Sequence, residues 1–226
     1  MEPLLSVIVP VYNEAQTIRQ IIEKINNVDI DKEIIVVDDG SSDGTDKILR
    51  ELNYSNLKLV FHGSNRGKGA AFLTGLANAR GEFAIIQDAD LEYEPRDYLK
   101  LIEAQKKYNA DLVLGARFKK GYRGLFIHRL GNKLLSGLLN LLFNSHLNDY
   151  ATCYKLAKKS TFFELNLKAT GFDIDVEIIC SALKKKKCII EIPISYHPRA
   201  YSEGKKIRWY DALWAIFYLV KYRFKD

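Results

Sequence analysis

One stretch, Phe83-Ala-Ile-Ile-Gln-Asp-Ala-Asp-Leu-Glu-Tyr-Glu-Pro95, constrains this chain more than any other. It opens as a short apolar run between Arg80-Gly81 and Pro95, which predicts a strand buried on both faces, as in a parallel sheet covered by helices. At its C-terminal end Asp88 and Asp90 are separated only by Ala89. In an extended chain residues two apart share a face, so both carboxylates can reach one ligand. Two hard oxygen donors there suit a divalent cation that also holds a diphosphate, and Mg²⁺ or Mn²⁺ fits best. Open α/β sheets bind their ligands at such strand ends.

The same alternation runs through the first half. Leu5–Val11 reads as a buried strand with Pro10 near its end, and Asn13 as the cap of a helix carrying Ile18, Ile21, Ile22 and Ile25 on one stripe. Glu33–Val37 is a second strand, ending in Asp38-Asp39-Gly-Ser-Ser-Asp-Gly44, where Ser42 or Asp43 caps the next helix. Leu57–Phe61 is a third, followed by Gly63–Gly69 and a helix to Arg80. A helix opened by Pro95 and a strand Asp111–Ala116 complete a βαβ pattern, which predicts a mostly parallel, Rossmann-like α/β sheet sandwiched by helices. Glu14, Asp38, Asp39, Asp88 and Asp90 then converge on one rim, where five acids call for a cation or a ribose.

The second half is of another character. A loop at Gly121–Gly124 leads to a helix over Leu125–Leu147, flanked by His128, Arg129 and Lys133 and dense in leucine. A strand over Ala151–Leu156, a helix over Asp173–Lys184 and an edge strand Ile189–Tyr196 with Pro193 follow. A basic loop with Arg199, Lys205, Lys206 and Arg208 precedes a last helix, Trp209 to about Tyr222. At 226 residues a single domain is expected, in stretches of about 1–118, 119–206 and 207–226, the last an amphipathic C-terminal helix.

Composition excludes several classes. Three cysteines, Cys153, Cys180 and Cys188, have neither metal-ligand spacing nor an even count, which predicts a reduced, cytoplasmic setting. The chain runs straight into a strand, so no signal peptide is expected. The longest apolar run, Ala212–Val220, is too short to span a bilayer. The net charge of +6 is uneven: from Arg199 onward seven Lys/Arg face three Asp/Glu. Lys184–Lys187 lacks interleaved aromatics, so no nucleic-acid partner is expected. Gly67 and Gly69 around Lys68 resemble a phosphate loop, but both the P-loop spacing and the dinucleotide fingerprint are missing.

Four ordered motifs carry a resemblance. Val9-Pro-Val-Tyr-Asn-Glu14, Val36–Thr45, Asn65-Arg-Gly-Lys-Gly-Ala70 and Gln87-Asp-Ala-Asp-Leu91 resemble, in order and spacing, the family 2 glycosyltransferases of GT-A fold. Gly115–Phe118, Arg129–Asn132, Asn148-Asp149, Gly171–Glu177 and Ile192–Arg199 are similar to the dolichol-phosphate mannosyltransferase branch and its polyprenyl-phosphate relatives. The resemblance covers about residues 4–211. It implies that Pro10, Tyr12, Glu14 and Asp39, with Asp38 beside them, hold base and ribose. Asp88 and Asp90 bind the metal, with Gln87, Ala89 and Lys68 around the diphosphate and Arg117 near sugar or phosphates. Glu92 stands where many relatives have Gln and becomes an extra metal or sugar contact.

The implied chemistry is in-line displacement at the anomeric carbon of a nucleotide-sugar (GDP-mannose, UDP-glucose or UDP-N-acetylglucosamine) with inversion. Metal and cations, Arg199, Lys205 and Lys206 among them, neutralise the leaving diphosphate. A polyprenyl-phosphate acceptor is already largely ionised and needs cations such as His128 and Arg129, not a base. A saccharide hydroxyl would need a base, for which Asp149 or Glu177 qualifies. A non-catalytic nucleotide-sugar-binding scaffold is the third reading. The two amphipathic segments suit a peripheral position on the inner face of the cell membrane, or alternatively cover the sheet or form a homo-oligomer.

Overall fold

In the computed structural model of the protein, residues 2–117, 126–199 and 211–224 are described, with side chains from Leu130 and Ala212 onward in the last two segments. The loop Gly121–Gly124, Lys205 and Lys206 lie outside the described residues, as do the side chains of His128 and Arg129.

Local pattern lays down β1 (Leu5–Val11), α1 (Ile18–Asn26), β2 (Lys32–Asp38), α2 (Thr45–Glu51), β3 (Leu57–Phe61), α3 (Lys68–Asn78) and β4 (Phe83–Ile86). A short 3-10 turn, Pro95–Asp97, leads into α4 (Tyr98–Tyr108), then β5 (Leu112–Ala116) and α5 (Phe126–Phe143). The chain continues through β6 (Lys155–Lys158), α6 (Lys159–Leu165), α7 (Ile174–Lys184), β7 (Ile189–Pro193) and α8 (Asp211–Phe224). The seven strands among the described residues join one sheet in the order β3-β2-β1-β4-β6-β5-β7. Only β6 runs antiparallel, between β4 and β5. The fold is the expected α/β sheet, and its central strands are buried along nearly their whole length because helices cover both faces. Pro193 does end the edge strand.

This topology makes the site. The six parallel strands deliver their C-terminal ends to one rim, and β6, running the other way, delivers the residues before it to the same rim. Thus Asp39 after β2, Asp88 after β4, Arg117 after β5, Cys153 before β6 and Arg199 beyond β7 line one cavity.

Several expectations need correcting. Asn13 does not cap α1: Thr17 holds that position, while Asn13 sits at φ 54° and its Oδ1 accepts the Ser42 N–H at 2.8 Å. Neither Ser42 nor Asp43 caps α2: Gly44 holds that position at φ 94°, and the Asp43 carboxylate accepts the N–H groups of Thr45 and Ala15 at 3.1 and 3.0 Å. The strand expected from Ala151 begins only at Lys155, because the Cys153 N–H is taken by Tyr93 Oη at 2.9 Å. The strand from Ile189 stops at Pro193. Helix α6 was not foreseen; in seven residues it buries Thr161, Phe162 and Leu165, too few for a periodic signal. Helix α3 ends at Asn78, two residues early, and α5 spans Phe126–Phe143, inside the expected Leu125–Leu147.

Candidate active site

The cavity at the rim has a volume of about 780 Å³. Asp88 and Asp90 both open onto it, from a turn just past β4 and not from extended chain. Leu91 closes that turn at φ 64°, a left-handed value seldom adopted by such a side chain, and the Glu92 N–H is thereby brought to Asp90 Oδ1 at 3.1 Å. Below the turn lies Gln87, fully buried: its side-chain oxygen accepts the hydroxyls of Tyr98 and Tyr154, and its amide donates to the Asp88 carbonyl at 2.8 Å. Gln87 therefore braces the acid pair and does not reach the cavity.

Burial pushes the Asp90 carboxyl up to about 7, and the neighbouring charges of Asp88 and Glu92 add to it. Such crowding favours a cation. Among the described residues no cluster of three or more His, Cys, Asp or Glu could hold an ion unaided. Two carboxylates on a cavity nonetheless fit a cation that takes its remaining ligands from phosphate oxygens and water, which is how Mg²⁺ is commonly held. Cys153, in the same cavity, is no nucleophile: burial first, then Asp88, pushes its thiol well up.

The other predicted carboxylates fall into two groups. Asp39 lines the cavity, and its two oxygens meet His62 Nδ1 at 2.6 Å and the N–H groups of Arg66 and Gly67 at 3.0 and 2.7 Å. Asp38 turns away from it, accepting the hydroxyl and N–H of Ser41. Glu14 and Glu92 are both joined to Arg199. The Arg199 guanidinium lies 3.3 Å from Glu14 Oε2 and donates to the Asp90 carbonyl, while the backbone N–H of Arg199 donates to Glu92 Oε1 at 2.8 Å. Arg199 thus clamps the loops after β1 and β4 together. Tyr12 and Pro10 line the cavity, Tyr12 with 42% exposure.

The glycine loop does not cradle a phosphate. A Cβ at Gly67 or Gly69 would come within 2.3 Å of the Thr170 or Ala169 carbonyl, and the Gly69 and Ala70 N–H groups donate to Gly171 and Thr170. The glycines let α3 dock on residues 169–171, and that docking carries Lys68 to the cavity. There Lys68 Nζ lies 2.9 Å from Asp88 and 3.0 Å from Asp175, whose other oxygen is 2.7 Å from Lys155 Nζ. Burial opposes the Asp175 charge, but Lys155 and Lys68 outweigh it and hold the carboxyl down at about 2.

Asp149 and Glu177 do not line the cavity, and both accept from protein groups. Asp149, wholly buried, accepts three bonds from Arg117: the N–H at 2.8 Å, Nε at 2.9 Å and a terminal nitrogen at 2.7 Å. Glu177 accepts the N–H groups of Lys168 and Ala169 at 2.8 and 2.7 Å. Arg117 itself faces the cavity, stacked 5.3 Å over the Tyr196 ring, whose hydroxyl donates to Glu92 at 2.6 Å. His62, Asp175, Lys155 and Tyr196 were not singled out from sequence. Each acts through a partner distant in the chain; Asp175 and Tyr196 lie within the motifs Gly171–Glu177 and Ile192–Arg199, but nothing local names their partners.

The profile of glycosyl transferase family 2 matches residues 6–165. The chain belongs to that family. Among curated relatives of this chain is the low-salt glycan biosynthesis hexosyltransferase Agl6 of Haloferax volcanii, 30% identical over 87% of this chain and 48% of its own length. The dolichol-phosphate mannosyltransferase of Pyrococcus furiosus is 30% identical over 89% and 58%. The chain therefore spans about half the length of these two. The UDP-N-acetylglucosamine–dolichyl-phosphate N-acetylglucosaminyltransferase of Methanococcus voltae is 31% identical over 90% of each chain. The GT-A fold is shared with glucosyl-3-phosphoglycerate synthase of Mycobacterium tuberculosis, solved with Mn²⁺, uridine diphosphate and phosphoglyceric acid. Its TM-score is 0.73 at 18% identity, over 98% of this chain and 79% of that one.

Proposed function

We propose that this glycosyltransferase moves a hexosyl group, with inversion, from a nucleotide-sugar to a polyprenyl phosphate at a membrane surface, using Mg²⁺ or Mn²⁺. One observation carries the choice of acceptor. Among the described residues, every cavity carboxylate outside the Asp88/Asp90 pair already accepts from a protein group: Asp39 from His62 and two amides, Glu14 and Glu92 from Arg199, Asp175 from two lysines. A sugar hydroxyl would need one of them as base. A phosphate monoester, largely ionised near neutral pH, needs none.

In this reading the acceptor oxygen attacks the anomeric carbon as the bond from that carbon to the donor diphosphate breaks, and the nucleoside diphosphate leaves with the electron pair. A bound divalent cation supplies charge stabilisation to that leaving group. Asp88 and Asp90 hold it, and Arg199 fixes the turn they stand on. Tyr12 and Asp39 take base and ribose, and Arg117, oriented by Asp149, meets the acceptor phosphate. Incubation with GDP-mannose, UDP-glucose and UDP-N-acetylglucosamine, with and without polyprenyl phosphate, tests this. Transfer is expected only where the lipid phosphate is present; equal transfer to a neutral glycoside would overturn it.

The membrane surface is argued from α8. Its inward stripe is narrow, with only Leu219 and Tyr222 buried, the helix packing on α5 and α7. Leu213, Trp214, Ile216, Phe217, Val220 and Phe224 form a second apolar stripe, each at least 40% exposed, with Lys221 and Arg223 at its end. That is the composition of an interfacial helix. Leu130, Leu134 and Leu141 are likewise exposed on α5. None of the described helices is long and apolar enough to cross a membrane. Because Leu219 and Tyr222 belong to the core, deleting α8 would confound folding with binding. Replacing Trp214 and Phe217 by Ser is cleaner. Affinity for anionic vesicles is expected to fall about tenfold to a hundredfold, with Tm unchanged; undiminished vesicle binding would refute the interfacial role.

A further inference from the structure

We infer that Lys68 is a positioning residue that makes the divalent cation and the donor diphosphate bind together and not one at a time. The inference rests on the reading of Asp88 and Asp90 as ligands of a cation held under a diphosphate. Lys68 is the first residue of α3, and its Nζ bridges Asp88 Oδ1 at 2.9 Å and Asp175 Oδ2 at 3.0 Å. It is fixed from behind: the second oxygen of Asp175 lies 2.7 Å from Lys155 Nζ, and Lys155 is fully buried and donates also to the Thr152 carbonyl.

Two consequences follow for a ligand entering the cavity. A cation arriving alone at Asp88 meets an ammonium one hydrogen bond from its ligand oxygen, and at low effective dielectric that repulsion is weakly screened. A diphosphate arriving with the cation brings negative charge that the same ammonium attracts. Lys68 therefore penalises the cation by itself and favours the pair. Asp175 sets how hard: sharing Lys68 between two carboxylates keeps it from leaning wholly on Asp88.

The test is a Mn²⁺ titration of the full chain, read from the electron paramagnetic resonance of free Mn²⁺, with and without saturating UDP or GDP; no turnover is needed. In the unmodified protein nucleotide is expected to tighten Mn²⁺ binding at least tenfold. Lys68→Met is expected to bind Mn²⁺ alone about tenfold more tightly, the size of one charge-assisted contact, and to lose most of the nucleotide enhancement. Asp175→Asn, which leaves Lys68 only Asp88 as a charged partner, is expected to shift the other way and bind Mn²⁺ alone more weakly. If Asp90→Asn abolishes binding while folded Lys68→Met matches the unmodified protein in both conditions, the role of Lys68 is overturned and the metal reading stands. Should Lys68→Met fail to fold, Asp175→Asn decides, and unweakened binding overturns the inference. No Mn²⁺ binding by the unmodified protein with either nucleotide would overturn the metal reading and this inference with it.

Discussion

Asp90→Asn is expected to lower kcat/KM on the order of 10³-fold or more while leaving Tm within a few degrees of the unmodified protein. The substitution keeps size and shape, and the amide oxygen still accepts the Glu92 N–H that Asp90 Oδ1 holds at 3.1 Å. What it removes is one of the two carboxylates proposed to hold the cation. The local fold gains from that loss, because burial and the charges of Asp88 and Glu92 already disfavour the ionised form of Asp90. EDTA should reproduce the variant in the unmodified protein. Full transfer in the presence of EDTA, or an active Asp90→Asn enzyme, would remove the cation from the reaction.

Asp149→Ala is expected to act first on stability. Asp149 is wholly buried and receives three hydrogen bonds from Arg117, a residue 32 positions away. Breaking a buried pair by removing one partner costs about 3–5 kcal/mol, which for a chain of this size lowers Tm by roughly 6–20 °C. The activity that remains should show a raised KM for polyprenyl phosphate, because Arg117 has lost what orients it. A general base predicts the opposite pattern: Asp149→Asn with an unaltered Tm and a loss on the order of 10²–10⁴-fold in kcat. Melting curves and acceptor titrations on both variants separate the two. An unshifted Tm with a collapsed kcat would return the hydroxyl acceptor to first place.

The regular elements were legible from sequence because their signals are local. Ile18, Ile21, Ile22 and Ile25 are all fully buried on α1, and Phe83–Ile86 is a fully buried strand, since spacing and apolar runs report burial directly. The errors lie where a local rule met a distant partner. Asn13 has the chemistry of a helix cap, yet its side chain is drawn to the loop after β2. The residues before Lys155 have a strand's composition, yet the Cys153 N–H goes to Tyr93, 60 positions away.

The candidate site divides along the same line. That acids gather at one rim follows from strand ends, so Glu14, Asp39, Asp88 and Asp90 were identified by sequence alone, as was the family their motifs resemble. Which of them remain available for chemistry was decided only by the tertiary structure. Asp149 has the same carboxylate as Asp90, but Arg117 has claimed it. Lys68 looked like part of a phosphate loop, but it is bound to Asp175, 107 residues along the chain. A carboxylate's role is set by the charges and donors within a few ångströms of it. In a parallel sheet those neighbours come from strand ends far apart in sequence, so folding, not spacing, assigns the partner.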